Sequence, residues 1–187
     1  MKADKLIEKV LIKDIKNIQE KTFHYQSFFL MATGIEFLGA CLDSNGLTRR
    51  GFARKRFQNA IERLFPEEYK EHASNLYKDL RCGLLHIGIP GKNFGLTQKN
   101  ESMTYGTKHL EKYNGQIILI SEEFYEHFKE ACNTVIDRIQ KGELNHPKLK
   151  EDIFMIPGEQ ISDSTGMSAL MPTTSGCAPP DTFIRKM

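Results

Sequence analysis

The run FFLMATGIEFLGACL, Phe28 to Leu42, carries a single charged residue, Glu36, in fifteen positions. It is apolar nearly all round, which is the pattern of a helix enclosed by other helices and not of one with a wet face. At fifteen residues with two glycines, it is shorter than the ~20 residues a membrane-spanning helix needs. Gly34 and Gly39 lower its intrinsic helix propensity, so their use is close helix–helix approach. Asp43 to Gly46 ends it, because Asn45 and Gly46 tolerate the left-handed backbone that closes a helix.

The wrapping helices are legible on either side. Ile7, Leu11, Ile15 and Ile18 recur at helical spacing between charged residues, which predicts an amphipathic helix from residue 4 to about 22. A third helix is expected from about Gly51 to Leu64, burying Ala53, Phe57, Ala60, Ile61 and Leu64. A fourth starts at Pro66, with Glu67 and Glu68 in the first turn where the helix dipole favours anions. Its stripe is Tyr69, Ala73, Leu76, Tyr77, Leu80 and Leu84, and it ends among the breakers Gly88, Pro90 and Gly91. Gln116 to Ile120 is the best strand, preceded by the turn signal Asn114-Gly115, and its expected partner is Ser102 to Gly106. Ser121 is the expected cap of a last long helix running to Gly142 along Phe124, Phe128, Ala131, Cys132, Val135 and Ile139.

These elements predict a mainly α fold: a bundle of about five helices, with a small β-hairpin (about residues 94–120) inserted before the last. The helical domain spans residues 1–142. Residues 143–187 form a C-terminal extension that is rich in Gly, Ser, Thr and Pro beyond Gly158, with Ile153 to Ile156 as a short strap. The chain has 187 residues, 40% hydrophobic and 27% charged with a net charge of +2, so overall charge neither favours nor excludes a nucleic-acid partner. Cys41, Cys82, Cys132 and Cys177 have no CxxC or zinc-finger spacing and read as free thiols of a reducing compartment. With no signal-peptide core at the N-terminus, the expected location is the cytoplasm, without membrane attachment. No Gly-rich phosphate loop, GxSxG elbow or HExxH is found, and His24, His72, His109, His127 and His146 lack metal-site spacing, so neither cofactor nor metal is expected.

The segment that carries chemistry is LYKDLRCGLLHIG, Leu76 to Gly88, with Arg81 and His86 five residues apart beside a glycine-rich break. Arginine offers a permanently charged planar fork that suits phosphate oxygens. Histidine gives or takes a proton near neutrality. Together they suit phosphodiester cleavage: His86 moves the proton of a ribose 2′-OH or of the leaving 5′-oxygen, and Arg81 stabilises the phosphorane-like charge. Five residues at ~100° each put the two side chains roughly 140° apart on an ideal helix. Either the helix ends between them or the site is assembled from two subunits. The structural alternative is that Arg81 clamps the bundle and His86 caps the helix.

In an all-α chain with a buried second helix, this segment resembles the HEPN family, whose members carry an Arg-x4–6-His motif. The resemblance covers roughly residues 5 to 141. It implies a helical bundle and a two-fold homodimer with both motifs facing one cleft. It also implies metal-independent endoribonuclease activity of the kind found in toxin–antitoxin, antiphage and RNA-processing systems. Many active members have a polar residue after the arginine, where this chain has Cys82, and some members are catalytically silent. The second reading is therefore a non-catalytic interaction module that binds a protein partner such as a nucleotidyltransferase-type antitoxin.

Three further features bear on that choice. Glu36 cannot stay ionised in an apolar core unpaired. It either orients Arg81, partly neutralising the charge a phosphate needs, or faces solvent, a subunit boundary or another base. Arg49, Arg50, Arg54, Lys55 and Arg56 put five cations into eight residues, which is either an RNA-steering patch or a solvated helix face. Tyr77, one turn before Arg81 on the same face, reads as core or as a phosphate contact, and Lys78 and Asp79 read as exposed helix positions.

Overall fold

The computed structural model describes residues 2–45 and 49–144, all within the compact unit Met1–Phe154. The C-terminal extension expected to be of low order beyond Gly158, and the strap expected at Ile153 to Ile156, lie outside the described residues. Helix α1 occupies residues 3–20, α2 His24–Leu42, α3 Ala53–Leu64 and α4 residues 67–87. Strand β1 (Phe94–Thr97), helix α5 (Lys99–Tyr105), β2 (Lys112–Tyr113), β3 (Gln116–Ile120) and α6 (Ser121–Gln140) follow. The fold is mainly α with a small β insertion, and it has six helices among the described residues where about five are expected.

Helix α2 is the axis. Phe28, Met31, Ile35 and Leu38 are sealed inside by Ile7, Leu11 and Ile15 of α1, Phe57 and Ile61 of α3, and Phe124, Phe128 and Val135 of α6. By length and composition it is the one helix among the described residues able to cross a membrane, yet 56% of its apolar window is buried inside the fold. Its glycines permit the packing. A Cβ at Gly39 would overlap the Arg56 carbonyl of α3, and one at Gly34 would come 2.6 Å from the Phe128 ring.

Two helices widen locally to i→i+5 winding, at Ile7–Asp14 and Leu76–Cys82. In the first, the Tyr125 hydroxyl donates to the Ile12 carbonyl at 3.0 Å, an outside partner for an oxygen of the widened stretch.

The insertion differs from the expected hairpin. Ser102 to Gly106 is not a strand: Lys99–Tyr105 is helical, closed by Gly106 at φ 65°. β3 pairs instead with β2, antiparallel, and with β1, parallel from Phe94↔Ile117 to Thr97↔Ile120. A parallel neighbour requires a crossover, and α5 supplies it. Asn114 and Gly115 make the β2–β3 turn, both at positive φ. Ser121 makes no side-chain cap. Its hydroxyl accepts from Gln19 Nε2 at 2.8 Å and lies 3.1 Å from Ser27 Oγ, which ties α1, α2 and α6 together.

A second polar chain links α4, α6 and the loop before β2. The Ile120 N–H donates to His109 Nδ1 (2.9 Å), so the neutral ring carries its proton on Nε2 and donates to Tyr69 Oη (2.6 Å). The Tyr69 hydroxyl then donates to His127 Nδ1 (2.8 Å). Burial first, and then the neighbouring His127, push His109 down to about 4.

Candidate functional site

Helix α4 ends at Gly88, whose left-handed φ of 73° lets its N–H close on the Leu84 carbonyl at 2.9 Å. The chain then doubles back on the helix. The Gly91 N–H donates to the Asp79 carbonyl at 2.8 Å, and Asn93 Nδ2 donates to the Asp79 carboxylate. A Cβ at Gly83 would press on the Ile89 carbonyl at 2.6 Å, and one at Gly91 on Asp79 Oδ1 at 2.5 Å. Both glycines are required by this close return. Asp79 is therefore not an exposed helix residue; it is 7% exposed and anchors the return loop that follows His86.

Arg81 leans from α4 onto α2. Its Nη2 lies 2.7 Å and its Nε 2.9 Å from Glu36 Oε2, and Nη1 reaches Cys82 Sγ at 4.0 Å. Three of its five N–H donors are thus engaged and two remain. The guanidinium also stands 5.7 Å from the half-buried Tyr77 ring. Burial opposes the charge on Arg81, but Glu36 outweighs it and holds the guanidinium more firmly protonated than usual. The side chain keeps 15% of its surface in water.

His86 is exposed in the last turn of α4, and among the described residues it makes no hydrogen bond or ion pair. Within one chain no hydrogen bond joins it to Arg81. Beside it in the chain the exposed residues are apolar, Leu85, Ile87 (71% exposed) and Ile89 (62% exposed), and α2 brings the exposed Tyr25 to the same turn. Tyr25 clips the two segments together by donating from Oη to the Gly88 carbonyl at 2.5 Å. Comparison with family models, with curated proteins and with solved structures gives no match.

The basic cluster divides. Arg49, Arg50, Arg54 and Lys55 are exposed. Arg49 bonds Asn45 and Arg54 bonds Ser74, both through surface contacts. Arg56 does not belong with them. It is 4% exposed, with Nε 2.7 Å from Asp43 Oδ2, because its place beside Phe57 on the α3 stripe faces the end of α2. Phe52 has Arg49 at 4.8 Å and Arg56 at 5.8 Å from its ring centre, so its face is already occupied. Asp79, Gly91 and Tyr25 are the residues that sequence reasoning missed. An acid two residues before Arg81 and a glycine beyond Pro90 are local hints, but no sequence signal pairs them, and none announces a tyrosine bonded to a carbonyl 63 residues away.

Proposed function

We propose that the chain is an HEPN-type, metal-independent endoribonuclease that acts as a homodimer. The observation that carries this reading is a protonated, water-reachable Arg81 held by Glu36 on the same helix end as an exposed, unengaged His86. Leu85, Ile87 and Ile89 beside His86 form an apolar patch of the kind a partner covers. A second copy related by a two-fold axis would set two His86 rings and two Arg81 forks around one phosphate, removing the angular mismatch within a single helix.

In that cleft, one His86 accepts the 2′-OH proton as O2′ attacks phosphorus, and the other protonates the departing O5′ as the P–O5′ bond breaks. The free N–H groups of Arg81 stabilise the added negative charge on the phosphorane oxygens. The products are a 2′,3′-cyclic phosphate and a 5′-hydroxyl. The test is cleavage of single-stranded RNA in EDTA by purified protein, with His86→Ala expected to lose about 10²–10⁴-fold while staying folded. Undiminished cleavage by that variant removes His86 from the reaction.

The interaction-module reading draws on Cys82 after Arg81 and on the charge that Glu36 removes from the guanidinium. It predicts a wild-type protein that dimerises yet cuts no RNA, and that binds a protein partner of the nucleotidyltransferase-antitoxin kind.

A further inference from the structure

A cavity of about 240 Å³ lies between the start of α2 and the β1–α5 corner, walled by His24, Tyr25, Gln26, Thr97, Gln98 and Glu101. It is partly open to solvent, and its volume falls just below the ~300–1,000 Å³ of pockets for drug-sized ligands. That is space for a heterocycle. We propose that it is a nucleobase subsite that selects guanine from single-stranded RNA. The proposal takes its substrate class from the ribonuclease reading above and extends it to sequence preference.

Glu101 sets the selectivity. Gln98 Nε2 donates to one of its carboxylate oxygens at 3.2 Å and Thr97 Oγ1 to the other at 3.3 Å, so the group is oriented from both sides. Each oxygen keeps further lone-pair capacity, leaving two adjacent acceptors. Guanine, through N1–H and N2–H, presents two adjacent donors to match them. The Watson–Crick edges of adenine, cytosine and uracil each place an acceptor in that pair. A carboxylate also repels phosphate, so this wall suits a base edge while the backbone charge belongs to Arg81.

Tyr25 provides the platform and the link. Its ring is partly exposed and braced edge-to-face by Phe29 at 5.6 Å, an arrangement suited to stacking an unpaired base. Its hydroxyl holds the carbonyl of Gly88, whose Cα lies no more than about 7.6 Å from that of His86. A strand with a phosphate at His86 therefore has a neighbouring base within reach of the cavity.

The experiment uses the full chain carrying His86→Ala, which prevents turnover, and labelled heptamers of uridine with a central G, A, C or U. The G heptamer is expected to bind about tenfold tighter than the others, and Glu101→Gln to erase that preference, since charge-assisted hydrogen bonds are about twice as strong as neutral ones. Equal binding of all four heptamers, or a G preference untouched by Glu101→Gln, overturns the proposal. The two readings fail separately. Wild-type protein that binds G selectively but cleaves nothing removes the ribonuclease and keeps the subsite. Cleavage without base preference does the reverse.

Discussion

Arg56 and Arg81 stand on successive helices, and each holds a carboxylate from the α2 stretch: Asp43 for Arg56, Glu36 for Arg81. Their surroundings separate them. Arg56 is sealed against the end of α2, with a further bond to the Asn45 carbonyl, and its pair is spent on closing the bundle. Arg81 is also paired, but its fork keeps two unengaged N–H groups and a share of solvent, and it sits five residues before an exposed histidine. An ion pair fixes a guanidinium in either setting. Only residual access to water makes that fixed charge useful to a ligand.

Substituting the two arginines tests this difference most strongly. Arg81→Ala is expected to cut RNA cleavage by about 10²–10³-fold, the usual loss when a transition-state donor is removed, at a stability cost of ~1–2 kcal/mol. Arg56→Ala is expected to cost about 2 kcal/mol of stability by removing its hydrogen bonds to Asp43 and to the Asn45 carbonyl, with cleavage per folded molecule unchanged. Denaturant melts and initial rates on both variants read the contrast. A collapse of cleavage in folded Arg56→Ala would erase it.

Acid sharpens the comparison next. His109 is neutral in the fold and held at about 4, below its ordinary 6.5. The unfolded chain therefore takes up the proton first as pH falls. The His109 contribution is fully present above pH 6.5 and lost by pH 4, up to roughly 3 kcal/mol. Burial works to raise the Asp43 carboxyl, but the Arg56 hydrogen bond, the Asn45 amide and the Arg56 charge outweigh it and hold the group below its usual value. Its contribution is present above the ordinary carboxylate range and disappears only as pH drops through the depressed value. Stability measured against pH should show two losses. His109→Gln should abolish the one between pH 6.5 and 4, and Arg56→Ala the more acidic one. Unchanged slopes in those variants would reject the assignments.

The smallest effect separates Arg56 from its sequence neighbours. Arg54→Ala should weaken RNA binding modestly and reduce the slope of log affinity against log salt by about 1, as loss of one phosphate contact does. Arg56→Ala should leave that slope intact. A slope change of equal size in both would place Arg56 back among the exposed cations.

Much of the helical layout was legible because burial periodicity is local. The stripes on α1, α3, α4 and α6, the enclosed α2 and the Asn114-Gly115 turn all follow from residues a few positions apart. The β insertion was not, because Ser102 to Gly106 carries strand-compatible residues whereas the partners of β3 are chosen by a parallel pairing across a crossover. Arg56 and Asp79 were misplaced for a related reason. A charged residue within a helix is exposed or buried according to which neighbour lies against its face, and composition does not say which. The Arg81 and His86 motif was readable as a motif, but the engagement of Arg81 and the openness of His86 were not.

By itself, the sequence determined where five of the six described helices form, that α2 must be enclosed, and that an arginine and a histidine share one helix end. Only the tertiary structure decided that Arg56 is walled in while Arg81 stays wet, that Asp79 and Gly91 hold the return loop, and that Tyr25 both lines a cavity and bonds the turn after His86. The physical reason is range. Propensity and periodicity act over a few residues, whereas desolvation and ion pairing depend on surfaces brought together from distant parts of the chain.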